Sequence, residues 1–75
     1  MNDKRRKQIQ NEINVIKGSL GNIEDILNEE AEAYENMPEG LQSSDRGIAS
    51  EESQDLLQEA IDHLEDVINC LEEIE

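Results

Sequence analysis

Apolar side chains in the first half of the chain fall at Ile9, Ile13, Ile16, Leu20, Ile23, Leu27, Ala31 and Tyr34, with spacings of four and three residues. Such spacing keeps one stripe on one face of a helix and does not fit the alternation of a strand. Val15, Ile26 and Ala33 sit beside the stripe and widen it to the breadth of a bundle helix. In the second half Ala49, Leu57, Ala60, Ile61, Leu64, Ile68, Leu71 and Ile74 repeat the pattern, broadened by Leu56 and Val67. Two long helices are therefore predicted, with a core carried by Ile13, Ile16, Leu20, Ile23 and Leu27 on the first and Leu57, Ile61, Leu64, Ile68 and Leu71 on the second.

The punctuation between them is local. Pro38 lacks a donor and pushes Met37 out of the α region, so the first helix must end near Asn36. Glu39-Gly40 supplies a turn, and Met37 and Leu41 are the apolar residues available to close the core there. The second helix starts either at a cap on Ser43 or Ser44 with Asp45 in its first turn, or at Ser50 with Glu51 and Glu52 behind it. The earlier start is preferred, with Gly47 as a weak spot. Gly18 and Gly21 each cost about 1 kcal/mol relative to alanine and either allow close approach or a bend, or are simply tolerated. The prediction is one all-α domain over residues 1–75: a helix over about 3–36, a turn over 37–44 and a helix over about 45–74.

At about 1.5 Å per residue each helix spans roughly 45 to 50 Å, and so short a connection makes them antiparallel neighbours. A helical hairpin buries only the seam between its members and leaves part of each stripe uncovered. Pairing two hairpins as a four-helix bundle covers the rest, so a homodimer is expected.

Composition narrows the function. The 75 residues hold 20 acids against 6 bases, a formal charge of -14, with one aromatic, one cysteine and one histidine. A chain this short is marginal without disulfides, a metal or a partner chain. One cysteine makes no internal bridge, and one histidine with one cysteine makes neither a zinc cluster nor a catalytic pair. The charge repels phosphates and anionic headgroups, which disfavours direct nucleic-acid or membrane binding and favours basic partners. No run approaches 18 apolar residues, and Lys4-Arg5-Arg6-Lys7 leads into an alternating pattern rather than a hydrophobic signal core. The expectation is a soluble, unprocessed chain, and the lone thiol fits a reducing cytoplasm.

The charge is unevenly placed. Lys4, Arg5, Arg6 and Lys7 open the first helix and Glu72, Glu73 and Glu75 close the second, each against its own helix dipole. An antiparallel hairpin sets these ends side by side, so mutual pairing is expected. At the turn end Glu29, Glu30, Glu32, Glu35, Glu39, Asp45, Glu51, Glu52 and Asp55 face only Arg46, and beyond residue 17 the chain holds 18 acids and one base. No feature of a hairpin requires so much like charge in one place. These nine acids form the candidate partner-binding pole; the alternative is a solvated coat.

Catalytic chemistry finds little footing. His63 lies near Glu59, Asp62 and Asp66, but bundle metal sites use inward Glu-x-x-His, and residue 60 is alanine. No EF-hand loop and no phosphate-cradling glycine loop occurs. Ser43, Ser44, Ser50 and Ser53 lie far from the only histidine and read as caps and turn formers. Cys70, beside Leu71, reads as a small buried apolar group, and Tyr34 as a plug for the end of the bundle. No enzyme, cofactor or metal is expected.

The segment Tyr34-Glu35-Asn36-Met37-Pro38-Glu39-Gly40-Leu41-Gln42-Ser43-Ser44-Asp45-Arg46, followed by the acidic helix Ala60-Ile61-Asp62-His63-Leu64-Glu65-Asp66-Val67-Ile68, resembles small uncharacterised proteins encoded by bacteriophages and prophages. In those an Asn-Met/Leu-Pro-Glu-x-Leu-Gln-x-Ser segment joins two helices. The resemblance covers residues 34–74 and carries no assigned activity. It implies a phage or prophage origin and action in the cytoplasm of a bacterial host. Small acidic phage proteins often inhibit a host enzyme by occupying its nucleic-acid groove. Two functions are therefore weighed: an inhibitor of a basic, nucleic-acid-binding host defence or DNA-processing protein, and an assembly module whose charge only gives solubility.

Overall fold

The computed structural model describes residues 1–75 and contains only helices: α1 over Asp3–Glu35, a single-turn α2 over Glu39–Gln42, and α3 over Asp45–Glu72. α1 and α3 pack side by side as an antiparallel hairpin, a rod with extents of 58 × 14 × 12 Å.

α1 starts where the Asn2 side chain accepts a 2.9 Å hydrogen bond from the amide of Arg5, satisfying one of the amides that a helix start leaves without a partner. It stops at Asn36, immediately before Met37 and Pro38. The carbonyl of Pro38 then accepts from the amides of Leu41 at 2.8 Å and Gln42 at 3.1 Å, and this seeds the one turn of α2 inside the predicted connection. Gln42 holds that turn against the end of α1, its Nε2 donating to the carbonyls of Tyr34 at 3.1 Å and Met37 at 3.3 Å. α3 begins after Ser44, the earlier of the two starts considered, but without a side-chain cap: the Ser44 hydroxyl donates back to the carbonyl of Leu41. Ser50, the rejected cap, is buried within α3.

Gly47 is a close-packing position rather than a weak spot. A Cβ there would lie 1.9 Å from the carbonyl oxygen of Gln42, so the α2–α3 corner closes only around glycine. Gly18 and Gly21 face open space, and neither brings a neighbour closer.

The seam follows an unbroken heptad rhythm. On α1 the buried and half-buried positions are Ile9, Ile13, Ile16, Leu20, Ile23, Leu27, Glu30 and Tyr34, continued by Met37; Ala31 is half-buried beside them. On α3 they are Gly47, Ser50, Gln54, Leu57, Ile61, Leu64, Ile68 and Leu71, with Ala60 alongside. All ten expected core residues stand in this seam. Only Ile13, Ile61 and Ile68 among apolar residues are buried, because two helices cannot enclose their own seam.

Several expectations of burial fail. Ala49, Cys70 and Ile74 are exposed, and Leu41 points to solvent, leaving Met37 to close the core at the turn. Val15, Ile26, Leu56 and Val67, expected to widen the buried stripe, remain 63%, 51%, 65% and 42% exposed. They stand too far round each helix from the seam to reach it.

Candidate acidic interface

Of the nine turn-end acids, Glu29, Glu32, Glu35, Glu39, Asp45, Glu52 and Asp55 are exposed and make no side-chain hydrogen bond or ion pair. The other two are engaged within the hairpin. Glu30 turns into the seam and accepts a 2.9 Å hydrogen bond from the Ser50 hydroxyl, and Glu51 accepts one from the phenol of Tyr34. That bond, then partial desolvation and the charge of Glu51, raise the Tyr34 pKa above its ordinary value. Tyr34 thus closes the turn end of the seam and ties α1 to α3. Arg46 makes no ion pair with the acids around it.

The opposite end departs from expectation. Lys4, Arg5 and Lys7 pair with none of Glu72, Glu73 and Glu75; Arg6 binds Asp3 of its own helix at 2.8 Å, and the one Lys or Arg bridge between helices is Lys17 to Glu72 at 3.7 Å. Glu72 lies alongside Lys17, and long charged side chains in water gain little from being held in one pairing geometry. The basic cluster is left free.

The acids also reach well beyond the turn. The heptad register puts Glu51, Glu52, Asp55, Glu59, Asp62, Glu65, Asp66, Glu72 and Glu73 on the outward and Lys17-facing flanks of α3, and all nine are exposed. They run over about 33 Å of helix at a mean axial spacing of about 4.1 Å, against about 3.4 Å of axis per phosphate on one DNA strand. The corresponding positions of α1 carry Glu24, Asp25, Glu32 and Glu35 only in its second half, and Asn11, Asn14, Lys17, Gly18 and Gly21 before them. A row that runs nearly the full length of the helix is therefore a property of α3. Sequence reasoning placed the charge at the turn because it counted acids by position along the chain; the heptad register, already present in the spacing, would have resolved the row.

His63 lies 3.6 Å from Glu59 on the surface, and no group of three or more His, Cys, Asp or Glu side chains is arranged to hold a metal ion. No helix is long and apolar enough to cross a membrane. Two grooves open along the seam, one at the open end between Arg6, Ile9, Leu71 and Ile74 and one midway between Glu24, Asn28, Gln58 and Glu65. Neither brings together a nucleophile and a base. Compared with family models, with curated proteins and with solved structures, the chain matches none.

Proposed function

We propose that this chain is a binding protein without catalytic activity that occupies a basic groove of a bacterial host defence or DNA-processing protein and competes there with nucleic acid. The observation that carries the reading is the exposed row of nine α3 carboxylates at close to the axial charge density of a DNA strand. A solvated coat needs no such row, and on α1 the equivalent positions are acidic only in the second half, at Glu24, Asp25, Glu32 and Glu35. The free acids at the turn extend the same field round the end of the rod. A field of this size steers a basic partner into contact and makes association fast and strongly salt-dependent. The resemblance to phage and prophage proteins supplies the setting, the cytoplasm of a bacterial host.

The working unit in this proposal is a homodimer, two hairpins forming a four-helix bundle. Exposed Val15, Ile26, Leu56 and Val67 support that assembly. They equally favour a second reading, an assembly module whose acidity only keeps it soluble.

Competition separates the two readings. The chain, immobilised by one terminus, is used to capture basic proteins from a bacterial lysate at moderate salt, and duplex DNA is then titrated in. Stoichiometric displacement of the captured protein by DNA supports the inhibitor. A captured protein that holds DNA and this chain together supports the assembly module.

A further inference from the structure

Most of the apolar side chains that the two long helices leave outside the seam lie on one side of the hairpin; Ile48, 49% exposed, is the large exception, on the flank of α3 that carries Asp55 and Asp62. Val15, Ile26 and Ala33 take the same flank of the α1 heptad, and Leu56, Val67 and Cys70 take the equivalent flank of α3. In an antiparallel pair equivalent flanks meet, so the six share one broad face. The other flanks form the opposite face, where Lys17 meets Glu72 and where Glu24 and Asn28 line a groove with Gln58 and Glu65.

We infer that a second copy of this chain covers that face, the two hairpins packing apolar side to apolar side in opposite directions, with the charge-balanced open end of each over the acidic turn end of the other. The inference rests on the dimeric reading above and adds the surface and the polarity. Three observations select a second copy. First, on a chain of net charge -14, the only formally charged side chains the heptad register sets on this face are Arg5, Glu12, Glu29 and Arg46, two of each sign. Two such faces meet without the repulsion that any other pairing of these surfaces would bring, whereas a basic partner would find its complement on the α3 row instead.

Second, the face spans about 37 Å from Ala49 towards Ile74 and roughly 18 Å across two helices, near 700 Å² per copy, within the range of stable interfaces of about 600–1,000 Å² per partner. Third, the ends differ in charge. The open end carries Lys4, Arg5, Arg6 and Lys7 against Asp3, Glu72, Glu73 and Glu75, four of each sign, whereas seven acids are unpaired towards the turn. Opposed packing keeps the two acidic turn ends apart; packing in the same direction would bring them together.

Light scattering of the full chain at micromolar concentration is expected to give twice 8.5 kDa. Leu56→Glu with Val67→Glu, which leaves the seam untouched, is expected to shift the mass to that of one chain. A helical wild-type monomer overturns the inference together with the dimeric reading. A wild-type dimer that survives both substitutions overturns the face and leaves the dimeric reading standing. Polarity is read from Gly40→Cys carrying a nitroxide in a Cys70→Ser background, which keeps a side chain of similar size at position 70 of the face and is first checked to retain the wild-type mass. A Cβ at Gly40 meets no other atom within 4 Å, so the label is accommodated. Opposed packing puts the two labels near opposite ends of the 58 Å rod. A separation within about 25 Å, the width of a four-helix bundle, overturns the polarity.

Discussion

Across the hairpin, the carboxylate of Glu30 accepts a 2.9 Å hydrogen bond from the hydroxyl of Ser50, whose oxygen accepts in turn from Nε2 of Gln54 at 3.3 Å. All three occupy seam positions that carry Ile or Leu further from the turn. A satisfied polar layer of this kind leaves no buried polar atom unpartnered, yet it contributes less than well-packed apolar side chains would. Glu30→Leu, Ser50→Ala and Gln54→Leu together are expected to raise the melting temperature. Ser50→Ala alone is expected to lower stability by about 1 kcal/mol, roughly 4–8 °C in a domain of this size. Thermal unfolding followed by circular dichroism checks both signs.

The glycines separate by what surrounds them. Gly47→Ala drives a methyl group into the backbone of Gln42 and is expected to cost about 1–3 kcal/mol or more. Gly18→Ala and Gly21→Ala, in open space within α1, are each expected to stabilise by about 1 kcal/mol. Urea unfolding of the three variants tests the contrast.

Tyr34 reports on the turn directly, since it is the only aromatic residue and its phenolate absorbance is free of interference. Its hydrogen bond to Glu51 raises the phenol pKa. The neutral phenol therefore favours the fold at pH below the unfolded value of about 10. That contribution is lost as pH rises through the higher folded value. Spectrophotometric titration is expected to show ionisation above the ordinary phenol value, returning towards it in Glu51→Ala.

Burial ranks the apolar truncations. Ile61, 4% exposed, is expected to cost about 2–5 kcal/mol as alanine, a large share of the stability of so small a domain. Leu41, 51% exposed on α2, is expected to change stability by less than about 0.5 kcal/mol. Chemical denaturation of the two variants checks the ranking.

Much of the fold was legible in the spacing of Ile, Leu and Val and in the one proline. Both long helices and their hairpin arrangement follow from a period of 3.5 to 3.6 residues interrupted once. What the spacing of apolar residues misses are the seam positions held by other chemistry. Glu30, Ser50 and Gln54 continue the heptad with polar side chains, and Gly47 continues it with none; all four break the apolar pattern, so that Glu30 reads as acidic surface, Ser50 as a cap and Gly47 as a weak spot in the second helix, and Gln54 carries no signal. Cys70 failed in the other direction. Adjacency to Leu71 says little on a helix, where a step of one residue turns a side chain through about 100°. The basic run at Lys4 to Lys7 failed because opposite charges brought near one another in water need not pair. For the candidate interface the acids were legible as a count, while their alignment along one side of α3 required the register of the two helices.

The most direct test of the account is the affinity of the captured basic protein for the chain when the α3 row is reversed by Glu52→Lys, Asp55→Lys, Glu59→Lys and Asp62→Lys. All four side chains are exposed and outside the seam, so the helical signal should persist. Binding measured across a salt series is expected to weaken steeply with salt for the wild type and to vanish for the reversed chain at physiological ionic strength. Equal affinity for both chains, with the same salt dependence, would contradict the claim that the carboxylates of α3 are what the partner reads.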